Sequence, residues 1–213
     1  MSVLVAWPTV DVDEANITAA RWKERGYDTA LFTEHKIELP DSIDSSIVGN
    51  WQGFPNAANK LCQTYAGLYD IIVIGGNDLF PDMSLSAMEI EEQFINHFHG
   101  TNGLMHPIGD TYGNVATAAV CPWIGAEYID RVYKGAGPYY EGYYHYFCDG
   151  ELQDVATLAG VFWQRSDLSQ YHAHWARNKE PRPAHLMPAL SSHPEDQATF
   201  LARKATNFPG ALL

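Results

Sequence analysis

The chain reads Asp70-Ile71-Ile72-Val73-Ile74-Gly75-Gly76-Asn77-Asp78-Leu79-Phe80-Pro81-Asp82 in the stretch that decides its predicted fold. The unbroken β-branched run over residues 71–74 predicts a strand buried on both faces, which is typical of a parallel sheet. Such a strand would place Asp78 at the carboxyl edge of the sheet, where open α/β sheets bind their ligands. The residues after the strand also fit a polar turn in which Asp78 binds its own backbone, so both interpretations stay open at this point.

The composition is that of an ordinary globular protein. The chain has 213 residues, of which 46% are hydrophobic and 18% charged, and its formal net charge is −13. One domain is expected at this length, and the acidic charge disfavours nonspecific attachment to nucleic acid. Cys62, Cys121 and Cys148 lack the spacing of a zinc motif and are predicted to be free thiols in a reducing compartment. Without a signal peptide or a sufficiently long apolar stretch, the sequence predicts a cytoplasmic protein with no membrane span.

The residues before the opening stretch predict a βαβ unit. Strands are predicted at 2–7 and 27–33, and the helix between them, 13–25, has acids in its first turn, bases near its end and Gly26 after it. A loop is predicted over 35–54, followed by a helix over 55–67 that leads into the opening strand. A strand, a helix and a second strand in this order imply a right-handed crossover.

The residues after the opening stretch continue this alternation. Helices are predicted at 84–99, 126–133, 149–160 and 194–205, and strands at 104–108, 116–121 and 161–165. An aromatic run lies between the second and third of these helices, and such residues pack in cores or line pockets for planar and sugar rings. The element order predicts an α/β fold with a mostly parallel central sheet flanked by helices.

Several common catalytic motifs are absent from the sequence. It contains no G-x-x-x-x-G-K-[ST] loop, no G-x-G-x-x-G after the first strand, no G-x-S-x-G elbow and no H-E-x-x-H helix. Walker ATPases, the usual dinucleotide dehydrogenases, serine hydrolases and zincins are therefore disfavoured.

Two histidines near the end of the chain are candidate metal ligands. His172 and His174 are two residues apart, so both imidazoles would lie on one face of an extended segment. Together with Asp78 they would form a carboxylate and imidazole site suited to Mn²⁺. Either histidine also fits a half-buried residue bound to backbone groups. Six other histidines are predicted to be incidental: His97, His99, His106, His145, His185 and His193.

Asp149 and Glu151 follow the aromatic run and flank Gly150. An N-cap aspartate and a first-turn glutamate have a structural explanation in the predicted helix. A carboxylate beside an aromatic pocket can also accept the proton of a substrate hydroxyl. The residues alone leave both interpretations open.

Taken in order, these motifs resemble the GT-A glycosyltransferases, and in particular their small members from bacterial viruses. The resemblance covers residues 2–176 and rests on six segments: Trp7-Pro8-Thr9, Glu34, Asn56 to Lys60, Gly76-Asn77-Asp78, Phe147 to Leu152, and His172-Ala173-His174-Trp175. It implies a GT-A-like, Rossmann-like catalytic domain over residues 1–176. Residues 177–213 would form a C-terminal extension packed on the same domain.

The resemblance implies a hexosyltransferase-like enzyme that moves a sugar from a nucleotide-sugar donor, such as a UDP-sugar, to a hydroxyl on a modified DNA base or a glycan. Asp78 and one of His172 or His174 would hold Mn²⁺ or Mg²⁺, which assists departure of the nucleotide diphosphate. Asp149, or Glu151 in second place, would be the general base. The implied donor-binding residues are Pro8, Thr9, Glu34, Asn59, Lys60, Asn77 and Asp78.

One position departs from the family pattern, because Asn77 stands where the acidic signature usually has a second carboxylate. A catalytically lapsed module that binds a nucleotide or a glycan is therefore a second hypothesis. A third is a metal-dependent phosphoesterase built from Asp78, His172 and His174.

Overall fold

The computed structural model describes residues 3–110 and 112–211, with His185 described through its backbone alone. Its strands are β1 (Val3–Pro8), β2 (Asp28–Thr33), β3 (Ser45–Val48), β4 (Ile71–Ile74), β5 (Leu79–Phe80), β6 (Leu104–Pro107), β7 (Trp123–Gly125), β8 (Phe162–Arg165) and β9 (Tyr171–His172). Its α-helices are α1 (Val12–Lys23), α2 (Phe54–Tyr65), α3 (Ala87–Phe98), α4 (Ala126–Arg131), α5 (Cys148–Leu158) and α6 (Met187–Ala205). Short 3₁₀ helices follow α4 at Val132–Gly135 and precede α6 at Ala184–Leu186.

The central sheet has seven strands in the order β3-β2-β1-β4-β7-β6-β8. The pairs β1–β2, β1–β4, β2–β3 and β6–β8 are parallel, and only β7 runs against its neighbours β4 and β6. A mostly parallel sheet flanked by helices is therefore confirmed. Because β7 reverses direction between β4 and β6, the carboxyl ends of β1, β2, β4 and β6 lie at the same edge.

The opening stretch forms the strand that the sequence predicts. Every side chain of β4 is at most 1% exposed, because alternate residues enter the two hydrophobic cores on opposite faces of the sheet. Ile72 and Ile74 pack in the core beneath α2, α4 and α5, whereas Ile71 and Val73 pack in the core beneath α1 and α3. A strand covered on both faces needs no polar residue, which explains its unbroken β-branched run.

Two predicted elements were wrong. Residues 35–54 were predicted as a loop but contain β3, a partly exposed edge strand whose two serines hid its pairing with β2. Residues 116–121 were predicted as a strand but form a turn and a coil. The strand in this part of the chain is β7, which begins two residues later. This segment packs on α5 instead, where the Ala119 N–H donates to the Asp149 carbonyl and Gln153 Nε2 donates to the Ala116 carbonyl.

The C-terminal extension packs against the segment that precedes and begins α5. Helix α6 extends over nineteen residues, seven residues further toward the N-terminus than predicted, and contains Pro194. The three cysteines are free thiols, as predicted, and all three are buried. In residues 3–110 and 112–211, no helix combines the length and apolar character that a membrane crossing requires.

His106 in β6 is fully buried, and neither of its ring nitrogens has a hydrogen-bond partner in the described structure. Burial lowers the pKa of His106 to about 4, so the folded protein holds a neutral imidazole. The unfolded chain binds this proton near the usual pKa of about 6.5. The contribution of neutral His106 to the stability of the folded protein is therefore complete above about pH 6.5 and is lost as the pH falls toward 4.

We expect this histidine to contribute a loss of about 2 kcal/mol in the free energy of unfolding between about pH 7.5 and pH 5. The measurement is urea denaturation of wild type, His106→Asn and His99→Asn at both pH values. His99 is exposed and serves as the control. His106→Asn should show a smaller pH dependence than the other two proteins, and an equal pH dependence in all three would contradict the expectation.

Candidate active site

A small second sheet brings Asp78 and His172 together at the carboxyl edge of the central sheet. Asp78 follows β4 and precedes β5, which pairs with β9 in antiparallel register so that Leu79 lies opposite His172. The Ala173 N–H donates to the Asp78 carbonyl, with 2.8 Å between nitrogen and oxygen. This pairing sets Asp78 Oδ2 at 3.3 Å from His172 Nε2.

The Asp78 carboxylate is held in its charged form. Burial raises the pKa of Asp78, but the hydrogen bond and charge of His172 outweigh burial, and the net shift is downward. His172 Nδ1 lies 3.1 Å from the Tyr112 carbonyl oxygen, which can only accept, so Nδ1 carries a proton. With Nδ1 protonated, Nε2 and the carboxylate oxygen face each other across a gap that a proton or a metal ion can fill.

His174 lies beside this pair but carries its proton on the other ring nitrogen. Its ring stacks on Tyr112 with 4.9 Å between centroids, and its Nδ1 accepts the Ala176 N–H at 3.2 Å. Burial lowers the pKa of His174, and the charges of His172 and Arg182 lower it further. A neutral imidazole that accepts at Nδ1 carries its proton on Nε2 and has no lone pair for a metal in that tautomer. Within the described residues, no group of three or more His, Cys, Asp or Glu side chains forms a metal site, so the predicted three-residue group is not found.

Asn77 is engaged inside the protein. Its Oδ1 accepts from Trp7 Nε1 at 2.8 Å, and its Nδ2 donates to the Asp11 carbonyl and to Glu14 Oε2, each at 3.1 Å. The Thr18 hydroxyl donates to the backbone carbonyl of Asn77. Asn77 therefore fixes the end of β4 to β1 and α1, and a donor contact through its side chain would require these hydrogen bonds to break.

A cleft of about 260 Å³ lies at the carboxyl ends of β1 and β2. Thr9 lines this cleft directly after Pro8, the last residue of β1, and its hydroxyl donates to the Asp11 carbonyl. Glu34 is exposed, and its Oε1 accepts the Trp51 N–H at 3.3 Å. The cleft thus combines a hydroxyl and a carboxylate with apolar walls, and its lining consists of Thr9, Val10, Val12, Thr33, Glu34, His35 and Ile37.

The two candidates in α2 have different surroundings. Asn59 is 5% exposed, and its amide group makes two hydrogen bonds to the backbone of Tyr139, at 2.8 and 3.0 Å. Lys60 is half-buried with Nζ 5.7 Å from the centre of the Phe32 ring, at the end of β2. Lys60 is accordingly open to an anion, whereas Asn59 holds the chain that follows α4.

Asp149 lies in the first turn of α5 and is not its N-cap, which corrects the prediction. The helix begins at Cys148 because Phe147, in the N-cap position, has a left-handed φ of 66°. Burial raises the pKa of the Asp149 carboxyl, although the Gly150 N–H donates to Oδ1 at 2.9 Å. Burial raises the pKa of the Cys121 thiol, and the charges of Asp78 and Asp149 raise it further.

Glu151 is fully committed to a buried ion pair. It is 1% exposed and accepts from Arg203 Nη2 at 2.7 Å and Nε at 2.8 Å, from the Tyr143 hydroxyl at 2.6 Å and from the Tyr133 hydroxyl. The Arg203 guanidinium also lies 3.4 Å from the centre of the Tyr140 ring. Of the two predicted bases, only Asp149 is left without a cationic partner in the described structure.

Sequence reasoning missed Arg203 and Asp196, which both lie in α6. Asp196 is 3% exposed and accepts the backbone N–H groups of residues 144, 145 and 146, at 2.9, 3.0 and 2.9 Å. It therefore fixes the aromatic segment that leads into Asp149. The only sequence signal is the separation of seven residues between Asp196 and Arg203, which places both on one helix face.

No protein-family model and no curated protein matches the sequence. Among solved structures, the fold is similar to Drosophila β-1,4-galactosyltransferase 7, in a complex of a mutant with manganese, UDP-galactose and xylobiose. The two share 12% sequence identity, the alignment covers 89% of this chain and 79% of the other, and the TM-score is 0.51. At this identity the likeness concerns the fold alone, and the predicted GT-A fold is confirmed.

Proposed function

We propose that this chain, which has a GT-A fold, is a glycosyltransferase that uses a nucleotide-sugar donor. One observation carries the proposal: Asp78 and His172 face each other at the carboxyl edge of the central sheet, the edge that also carries the cleft at the ends of β1 and β2. In open α/β sheets this edge is where ligands bind.

The cleft at the ends of β1 and β2 would receive the nucleoside. Glu34 can accept hydrogen bonds from a base or a ribose, and Thr9 lines the same cleft. Lys60 would face a phosphate, because its amine has no carboxylate partner among the described residues and lies at the end of β2. The similar structure contains UDP-galactose, which supports a UDP-sugar as the first donor to test.

The donor atoms of Asp78 and His172 fit a divalent ion such as Mn²⁺ or Mg²⁺. A carboxylate and an imidazole are hard and intermediate ligands that suit Mn²⁺, and the Tyr112 carbonyl already orients the imidazole through Nδ1. When bound there, the ion would supply charge stabilisation for the departing nucleotide diphosphate. Two protein ligands leave most of the coordination to phosphate oxygens and water, so metal and donor are expected to bind together.

Asp149 would act as the general base. Its raised pKa makes it a stronger proton acceptor than an exposed aspartate, and it can accept the proton of an acceptor hydroxyl as that oxygen attacks the sugar. Direct attack assisted by a base corresponds to an inverting displacement. The acceptor hydroxyl would belong to a glycan or a modified DNA base.

Calorimetry with the uridine, guanosine, adenosine and cytidine diphosphates, with and without Mn²⁺, tests this proposal. We expect one of them to bind more tightly with Mn²⁺ than without it. In Asp78→Asn this metal-dependent gain should fall about tenfold or more, because the amide lacks the charge that the ion requires. Asp82→Asn is the control, since Asp82 accepts the Ser84 and Ser169 N–H groups and lies after β5. Failure of all four nucleotides to bind wild type would refute the proposal.

A second candidate is a binding module that has lost catalysis, which the internal engagement of Asn77 favours. It predicts the same nucleotide affinity with neither transfer nor hydrolysis of any donor sugar. The phosphoesterase hypothesis required both histidines at one ion, and the hydrogen bond to His174 Nδ1 disfavours that arrangement.

A further inference from the structure

Arg182 is connected to the Asp78–His172 pair by a continuous series of ring contacts. Its guanidinium carbon lies 4.9 Å from the centre of the Trp175 ring. The Trp175 ring is 5.0 Å from that of His174, which in turn is 5.2 Å from that of His172. Arg182 is therefore held by an aromatic surface on the same side of the structure as the proposed metal and donor site.

Arg177 gives the contrast that makes Arg182 informative. Arg177 also lies over an aromatic ring, that of Tyr171, at 4.4 Å, but it donates to Asp110 Oδ1 at 2.7 Å and is neutralised there. Arg182 is half-buried and forms no ion pair among the described residues. The chain has 26 acidic and 13 basic residues, so an arginine left without an acid beside a candidate site needs an explanation.

Stacking determines what such an arginine can bind. A guanidinium that lies over a ring uses its face for the cation–π contact and keeps its N–H groups at the edge for acceptors. These N–H groups match two oxygens of a phosphate, and binding at this fork is charge-assisted. The ring also restricts the side chain in advance, which lowers the entropy cost of binding.

We propose that Arg182, supported by Trp175, binds the diphosphate of the donor and maintains part of the nucleotide affinity when no metal ion is bound. The inference rests on the proposed function. The proposed site has few groups to bind a diphosphate, because Asn77 is engaged elsewhere and only one carboxylate and one imidazole would hold a metal ion. A fixed guanidinium would offset part of the negative charge that collects on the departing diphosphate.

The experiment compares the tightest-binding nucleoside diphosphate of the four above with its own nucleoside. Dissociation constants are measured by calorimetry in Mn²⁺ and in EDTA, for wild type, Arg182→Ala, Arg182→Lys and Lys179→Ala. Lys179 is the control, because it lies in the same segment, carries the same charge and is exposed.

We expect Arg182→Ala to weaken diphosphate binding about tenfold or more both in Mn²⁺ and in EDTA, with affinity for the nucleoside unchanged. Arg182→Lys should recover part of the loss, since it keeps the charge without the fork. Lys179→Ala should bind as wild type does.

Four results would overturn the inference. Wild-type affinity of Arg182→Ala for the diphosphate would remove Arg182 from the site, while leaving the proposed function intact. If Arg182→Ala weakened the binding of the nucleoside as much as that of the diphosphate, Arg182 would have a structural role. If Lys179→Ala weakened diphosphate binding as much as Arg182→Ala does, the effect would come from net charge alone. If wild type binds none of the four nucleotides, the proposed function fails first, and the inference fails with it.

Discussion

Replacement of Asp149 by asparagine is expected to lower the turnover number for sugar transfer about 10²- to 10⁴-fold while donor affinity stays at the wild-type value. The amide keeps the size of the side chain and can still accept the Gly150 N–H, so the first turn of α5 should be preserved. It cannot accept the proton of an acceptor hydroxyl. The loss should therefore appear in kcat and not in nucleotide binding.

The pH dependence of transfer gives this expectation a second readout. Burial raises the pKa of Asp149, so the active carboxylate form is gained as the pH rises through that value, and wild-type activity should increase along this limb. The limb should be missing from the residual activity of Asp149→Asn. Asp154→Asn makes the same change further along α5, at a partly exposed residue paired with Lys204, and should transfer sugar normally. Undiminished turnover in Asp149→Asn would exclude Asp149 as the base.

Replacement of Arg203 by methionine should cost about 3–5 kcal/mol in the free energy of unfolding. Glu151 is 1% exposed, and without the guanidinium its charge would remain buried with only two tyrosine hydroxyls to solvate it. Methionine fills much of the same volume, so the expected loss comes from the uncompensated charge more than from a cavity.

Urea denaturation of wild type and variants measures this cost. Lys204→Met is the matched control, because the neighbouring lysine forms an exposed ion pair with Asp154 and should contribute about 0–1 kcal/mol. Adding Glu151→Gln to Arg203→Met removes the stranded charge while keeping an acceptor for the tyrosines, so the double variant should be more stable than Arg203→Met alone. Equal stability of Arg203→Met and Lys204→Met would contradict this account.

The elements that the sequence predicts correctly are those with a strong local pattern. Strand β4 is predicted by its four consecutive β-branched residues. Helix α1 is predicted by the charges at its two ends and by Gly26 after it, which has a φ of 87° in the structure. Strand β3 and the segment 116–121 were missed or misassigned because their states depend on partners distant in sequence. An edge strand with two serines is specified by its pairing with β2, and Ala116 has its carbonyl bound by a glutamine side chain.

In the candidate site, too, local sequence predicts some features and long-range contacts decide the others. The sequence places Asp78 after a buried strand and predicts an extended segment for His172 and His174, but both histidines look equivalent in their spacing. Their hydrogen bonds separate them, since a carbonyl oxygen faces Nδ1 of His172 and an N–H faces Nδ1 of His174. The resemblance ranks Asp149 before Glu151 as the base, and the long-range pairing of Glu151 with Arg203 gives a structural reason to separate them.

Helix α6 has a consequence for the order in which the protein acquires its structure during synthesis. The segment leading into Asp149 is held by Asp196, and the charge of Glu151 is neutralised by Arg203, yet both partners are translated some fifty residues after them. Chains generally fold from the N-terminus as they leave the ribosome. The βαβ half can therefore form its sheet early, whereas the proposed catalytic carboxylate becomes ordered only after α6 emerges. A nascent chain that stalls before α6 would expose the proposed nucleotide cleft before the proposed base is in place, so premature binding of a donor would not be expected to lead to transfer.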